Sequence, residues 1–286
     1  LCFCLRCIVV EMNYYCANSS FEKAQIVIVG VPYDGTSSFR PGSRFAPNAI
    51  RENSYGIESY SPYFDKDLRE KKICDMGDMP LPFGDKQLVL DIIEKFSYKL
   101  IKNKKKLLSI GGEHLISLPL IKTFVNKYDN LTIVHLDAHS DLIDSYRSEK
   151  LSHASVIRRV CEIVGFENVY QLGIRSLNST DLNLPYRKEN LCLFNFDKIQ
   201  EFVEKIGTKP VYLTIDLDVL DPSIFPGTGT PEPGGVTYKE LIDCLKKLSV
   251  LNIVGCDIVE LSPQYDTSGV SSIVAASVVR EVLCFL

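Results

Sequence analysis

In the stretch IVHLDAHSD, residues Ile133 to Asp141, an apolar run from Leu131 to Val134 leads straight into Asp137, His139 and Asp141. Side chains on an extended chain alternate faces, so residues two apart share a side. If the strand conformation carries through, these three converge on one point just past the strand end. A second stretch, VYLTIDLDVLDP, repeats the device, with Val211 to Ile215 delivering Asp216 and Asp218. Carboxylates this close repel one another and lose solvation unless a cation lies between them. The chemistry to expect is that of a metal centre. His114, after the pair Gly111 and Gly112, completes a candidate set of His114, Asp137, His139, Asp141, Asp216 and Asp218.

Four carboxylates and two imidazoles exceed the three protein ligands and one water of a catalytic zinc. They match two dications sharing a bridging carboxylate. Oxygen-rich ligation with some imidazole and no thiolate favours Mn²⁺, since Mg²⁺ prefers fewer protein ligands and more water. Two such ions about 3.5–4 Å apart lower the pKa of a shared water from roughly 15.7 towards 7. Glu260, at the end of CDIVE, would add a further negative charge at the same place. The expected electrophile is therefore a small cation; a two-metal phosphatase would surround its site with Arg and Lys.

All six candidates fall at or just beyond the carboxyl ends of expected strands, the edge where open parallel sheets bind ligands. Gln25 to Gly30 reads as a buried strand, opening into a long loop rich in Gly, Pro and Ser, with a short helix from Pro47 to Tyr55. Lys86 to Lys102 has helical spacing behind Asp85 as N-cap. Leu107 to Ile110 is a strand, and the two glycines after it let the backbone turn and set His114 at a helix start. Further on, His153 opens a helix to Val164. Strands at Val169–Gly173, Val211–Ile215 and Ile253–Val259 alternate with helices at Asp197–Ile206, Tyr238–Leu248 and Val270–Leu283. That rhythm means parallel strands with helical crossovers. The fold class is α/β, a three-layer α/β/α sandwich with a central, mainly parallel sheet.

The 286 residues, 45% hydrophobic and 24% charged, suit a globular chain with net charge −4 and no basic run able to track a phosphate backbone. Nucleic acid is disfavoured as a partner, and so is a membrane. The ten cysteines are scattered, and only Cys4 and Cys7 have close spacing, a lone pair without a second. A reducing cytoplasm fits them best. The opening LCFCLRCIVV is too short for a bilayer span, which needs about 20 apolar residues. Residues 1–11 are expected to lie outside the folded unit, as an unstructured or artefactual extension, and 12–286 to form a single catalytic domain.

The motifs also resemble a family. GGEH at Gly111–His114, DAHSD at Asp137–Asp141, SH at Ser152–His153 and DLDVLDPSIFPGTGTPEPGG at Asp216–Gly235 look like the signature blocks of the ureohydrolases, in the right order, from about Gln25 onward. That family comprises arginase, agmatinase and relatives. The resemblance implies an arginase-like fold, two Mn²⁺ per subunit and attack of a metal-bridging hydroxide on a guanidinium carbon, releasing urea. By motif position, His114 and Asp141 would bind one ion, His139 and Asp218 the other, with Asp137 and Asp216 bridging. Glu260 would grip the guanidinium through paired hydrogen bonds. His153 would protonate the leaving amine. The implied catalytic set is His153, Glu260 and Asp141, with Glu260 and His153 on the substrate.

Within the family the resemblance is nearest to bacterial agmatinases, through PYDGTSSFRPGSR at Pro32–Arg44 and TPEPGG at Thr230–Gly235. It implies hydrolysis of agmatine to putrescine and urea, a step of polyamine biosynthesis, by a homotrimer or homohexamer. The segment Leu142–Leu151 does not match the arginase pattern. Ser140 and Ala154 depart from the commoner threonine and glycine without removing a ligand. The alternatives are arginase, guanidinobutyrase or another guanidino-compound hydrolase. Outside the family they are a single-zinc deacetylase-like hydrolase and a non-catalytic scaffold, which would be expected to have lost ligands. His135 is expected to support a ligand or sit in the core. Asp221 should form a turn, and Asp257 should either support a ligand from behind or be structural. Asp34, Arg40 and Arg44 could line the entrance or make a subunit contact, with a structural salt bridge the favoured role.

Overall fold

The β-branched runs pair into one sheet whose order is β4-β1-β5-β10-β9-β6-β7-β8. Its strands are β1 (Ile26–Val31), β4 (Ile73–Asp78), β5 (Lys106–Gly111), β6 (Thr132–Leu136), β7 (Val169–Ile174), β8 (Leu191–Leu193), β9 (Pro210–Asp216) and β10 (Asn252–Val259). Every pairing in it is parallel. A small antiparallel hairpin, β2 (Tyr60–Ser61) and β3 (Lys66–Asp67), stands apart. This computed structural model describes residues 12–185 and 187–286. The expectation for residues 1–11, with Cys2, Cys4 and Cys7, lies outside them.

The period of two along each strand divides the apolar residues between two cores. In β1, Ile26 and Ile28 face one core while Val27, Val29 and Val31 face the other. The first core is closed by α1 (Ala46–Ser54), α6 (Ile199–Ile206), α7 (Tyr238–Leu248) and α8 (Val270–Phe285). The second is closed by α2 (Lys86–Lys102), α3 (Ser117–Val125) and α4 (Val156–Val164). A one-turn helix, α5 (Arg187–Asn190), precedes β8. Caps set the helix starts: Asp85 accepts from the Leu88 N–H at 3.0 Å, and Thr237 with Glu240 forms a reciprocal box at the start of α7.

The helices and inner strands follow the sequence pattern, whereas the edge strands β4 and β8 do not announce themselves. β8 is three residues long, and β4 is interrupted by Asp75, Gly77 and Asp78. Those aspartates have a structural use. Arg51 on α1 is buried, and its guanidinium meets Asp75 through Nε at 2.8 Å and Nη2 at 3.0 Å and Asp78 through Nη1 at 2.5 Å. Asp75 also accepts from the Tyr14 N–H at 2.8 Å. Removing the cation strands a buried carboxylate, which costs about 3–5 kcal/mol. Arg51→Met is therefore expected to lower the melting temperature by roughly 5–10 °C in calorimetry; a shift within error would mean that the pair contributes nothing.

Candidate metal centre

Four adjacent central strands, β5, β10, β9 and β6, end at one place. His114 follows β5 by three residues, Asp137 follows β6 directly, Asp216 is the last residue of β9, and Glu260 follows β10. The spacing of two does bring the ligand candidates together, but not by continued extension. Asp141 has a left-handed backbone, φ 51°, and Asp218 sits in the 3-10 turn Leu217–Val219. In each stretch the first aspartate folds the turn that presents the next residue. Asp137 Oδ1 accepts from the His139 N–H at 2.5 Å, and Asp216 Oδ1 from the Asp218 N–H at 2.9 Å.

The side chains gather around two imidazoles. His114 Nδ1 lies 3.2 Å from Asp137 Oδ2, 3.2 Å from Asp141 Oδ2 and 3.3 Å from Asp216 Oδ2. His139 Nδ1 lies 3.0 Å from Asp218 Oδ2 and 3.5 Å from Asp137 Oδ1. Asp137 thus turns one oxygen to each imidazole. Asp216 stands on the His114 side. Ligand atoms of His114, Asp137 and Asp141 lie within 4.8 Å of one another, as do those of Asp137, His139 and Asp218. His135 also falls within reach of the first group, but its Nε2 is engaged by Asp137 Oδ2 at 2.6 Å.

Hydrogen bonds behind the ligands fix which nitrogen is free. Thr214 Oγ1 donates its one proton to Asp257 Oδ1 at 2.6 Å, so at 2.9 Å from His114 Nε2 it must accept. In its neutral form His114 then carries its one proton on Nε2 and leaves a lone pair on Nδ1. That atom is buried, has no hydrogen-bond partner and faces three carboxylate oxygens. A lone pair and three anionic oxygens aimed at one point fit a cation. Gln171 works in the same way: its Nε2 donates to His135 Nδ1 at 2.8 Å, which leaves the His135 Nε2–H for Asp137. Such outer partners are worth roughly 10- to 100-fold in metal affinity. Thr214→Val, which suits a strand, is expected to weaken Mn²⁺ binding by about that factor in calorimetric titration of the metal-free protein. An unchanged affinity would remove Thr214 from this role.

The electrostatics agree with that fit. Burial opposes charge on His114, yet Asp137, Asp141 and Asp216 outweigh it and hold its pKa far above the ordinary value. For His139, burial is outweighed by Asp218 and Asp137, and the pKa stands at about 12. Burial drives Asp216 well up, with Asp218 and Asp137 adding to the effect. Asp137 resists burial because His135 and His114 draw it well down. Without a cation, the cluster balances its negative charge by holding protons, so loading releases protons and strengthens as pH rises.

The glycine pair of GGEH is there for space rather than for turning. Neither residue has positive φ, but a Cβ on Gly112 would come within 1.8 Å of the Tyr33 carbonyl oxygen. This close passage lets the Glu113 N–H bond Tyr33 O at 2.8 Å and the Glu260 N–H bond Gly112 O at 2.9 Å. Glu260, φ 67°, accepts from the His114 N–H through Oε1 at 2.7 Å. Burial pushes its carboxyl well up, with Glu113 beside it adding to the effect. Burial also raises Glu113 to about 7 against its Thr36 hydrogen bonds. His153 opens a 3-10 turn, His153–Ser155, ahead of α4. Burial lowers its pKa, and Tyr146 meets its ring edge-on at 5.8 Å.

A cavity of about 160 Å³ adjoins the cluster, lined by His139, Ser140, Asp141, Ala154, Ser176 and Asn178 among others. Ser140 donates to Asp181 Oδ2 at 2.7 Å. The glycine-rich rim is braced by Arg175, whose guanidinium donates to the carbonyls of Asp218 (2.7 Å), Val219 (3.1 Å) and Glu232 (2.8 Å). Asp221 forms its turn, accepting from the Ser223, Gly234 and Gly235 N–H groups. Asp34 pairs with Arg44, while Arg40 lies over the rings of Phe39 and Tyr265. Glu113, Thr214 and Gln171 contribute to the site without belonging to the candidate set that the motif spacing defines. Of the three, only Glu113 lies inside a recognisable motif, GGEH.

The Arginase family model matches residues 24–284. An agmatinase of Bacillus cereus is 48% identical over 272 residues, covering 93% of each chain. The crystal structure of an agmatine ureohydrolase of Thermoplasma volcanium superposes with a TM-score of 0.87 at 32% identity, covering 98% of this chain and 96% of that one. An arginase of Medicago truncatula superposes with a TM-score of 0.78 at 32% identity, over 92% and 87% of the two chains.

Proposed function

Because the chain belongs to the arginase family, and is thereby a hydrolase acting on C–N bonds of guanidino compounds, we propose that its substrate is agmatine, cleaved to putrescine and urea. The observation that carries this reading is the shared carboxylate of Asp137, with Oδ2 towards His114 and Oδ1 towards His139. We assign two Mn²⁺ to the cluster, held by His114, Asp137, His139, Asp141, Asp216 and Asp218. Such a pair, when bound, supplies a nucleophilic water at neutral pH.

The chain's own residues do the rest. Glu260, beside His114, receives the planar guanidinium, and the acidic surroundings favour that cation over an anion. Asp141 accepts the proton that attack on the guanidinium carbon releases. His153, whose pKa burial lowers, takes up that proton and delivers it to the leaving nitrogen as the C–N bond breaks. That one proton releases the amine in its neutral form. The hydroxyl proton on the former guanidinium carbon passes to it as the urea carbonyl forms, so the amine ends as an ammonium, urea is neutral and no net proton is consumed. Agmatine brings no α-carboxylate, which agrees with the non-arginase segment Leu142–Leu151.

Urea release from agmatine, arginine and guanidinobutyrate, each with added Mn²⁺, tests this directly. Agmatine is expected to give the highest kcat/KM; preference for another guanidino compound moves the substrate assignment, and no urea from any of them ends it. We also assign the chain to a trimer or hexamer, to be read by light scattering. A cytoplasmic setting is supported by seven buried cysteines among the described residues, none of them in a disulfide. Among those residues no helix is long and apolar enough to cross a membrane.

A further inference from the structure

Glu113 is fully buried (0% exposed) and belongs to neither imidazole group, yet its carboxylate gathers the loop that leaves β1. Oε2 accepts from the Thr36 N–H at 2.7 Å and from Ser37 Oγ at 3.3 Å, and Oε1 accepts from the Thr36 hydroxyl at 2.5 Å. A threonine hydroxyl has one proton, and Thr36 donates it to Glu113. Its remaining lone pairs are acceptors, and the His153 N–H donates to that oxygen at 3.1 Å. Two residues along the same loop, Ser38 Oγ lies 3.3 Å from His153 Nε2. Glu113 itself is anchored to the sheet edge through the Tyr33 carbonyl at 2.8 Å.

We propose that Glu113 is a positioning residue for His153: it holds Thr36, which fixes the His153 backbone, and thereby sets Ser38 against the ring. The inference rests on the reading of His153 as the proton carrier to the leaving amine. His153 stands at the start of a short turn, twelve residues beyond Asp141, the metal-ligand candidate nearest to it in sequence. Its aim therefore depends on a contact that ties the 34–38 loop to the ends of β1 and β5. A misplacement of about 1 Å at a reacting group costs roughly 10²-fold in rate.

The test is a double-mutant cycle with metal content measured throughout. Glu113→Gln and Thr36→Val are each expected to lower kcat by about 10- to 100-fold, with KM nearly unchanged and Mn²⁺ per subunit as in the native protein. In a His153→Ala background neither is expected to lower kcat further, because the group they position is gone. Thr36→Val removes only a hydroxyl and keeps the test usable should Glu113→Gln fold poorly. If His153→Ala turns over at the native rate, the His153 assignment falls and the inference goes with it. If His153→Ala is impaired but the substitutions at 113 and 36 cost as much again on top of it, or strip the metal, the inference alone is overturned.

Discussion

Asp137→Asn is expected to leave the protein folded, without a stable metal pair, and slower by about 10⁴-fold or more in kcat/KM. The reason is geometric. Asp137 is held between two donors, the His135 Nε2–H on Oδ2 at 2.6 Å and the His139 N–H on Oδ1 at 2.5 Å. An asparagine amide has one oxygen, and either orientation sets its NH₂ against one of those donors. The same NH₂ also replaces the oxygen that faces His114 or the one that faces His139, so one half of the site loses an anionic ligand whichever way the amide turns. The net negative charge that draws dications in falls as well. Elemental analysis after dialysis and a urea assay check this together. Two Mn²⁺ per subunit with native turnover in the D137N protein would refute the shared-carboxylate arrangement.

The second large effect is at Glu260, and the choice of substitution matters. Two charge-assisted hydrogen bonds to a guanidinium contribute about 1.5–3 kcal/mol each, so their loss corresponds to roughly 10²- to 10⁴-fold in kcat/KM. Glu260→Ala should show this loss, but it also leaves the buried His114 N–H without its acceptor, so metal binding weakens with it. Glu260→Gln can keep an amide oxygen on the His114 N–H while turning its NH₂ towards the cationic substrate. It is expected to retain the full metal complement and to lose substrate affinity, read as a raised KM and as weakened agmatine binding by calorimetry. Native kcat/KM in the Gln variant would remove Glu260 from substrate binding.

Most of the sheet and the gathering of the site were legible because they follow from local patterns. The buried strands are continuous apolar runs, α2 and α7 begin at recognisable caps, and the candidate ligands sit where such runs stop. What escaped depends on partners distant in sequence. β4 is a strand through its pairing with β1 and through Arg51, which takes up its aspartates from a helix about 24 residues away. The left-handed backbone at Asp141 and the turn that carries Asp218 replace the simple extension that the spacing suggested. Thr214 and Gln171 are unremarkable strand residues whose roles arise from neighbours 100 and 36 positions distant.

The sheet order has a consequence for synthesis. β10 follows β5, β6 and β9 in sequence yet lies between β5 and β9 in the sheet, so the tip carrying His114 does not take its place beside the tip carrying Asp216 until residues 252–259 have been inserted between them. A nascent chain still on the ribosome short of that point can hold the Asp137, His139 and Asp218 half, whose strands β6 and β9 are already neighbours, but not the other. The two halves of the candidate site are thereby ordered along the chain, and a chain that stops short of β10 lacks the strand that sets His114 beside Asp216.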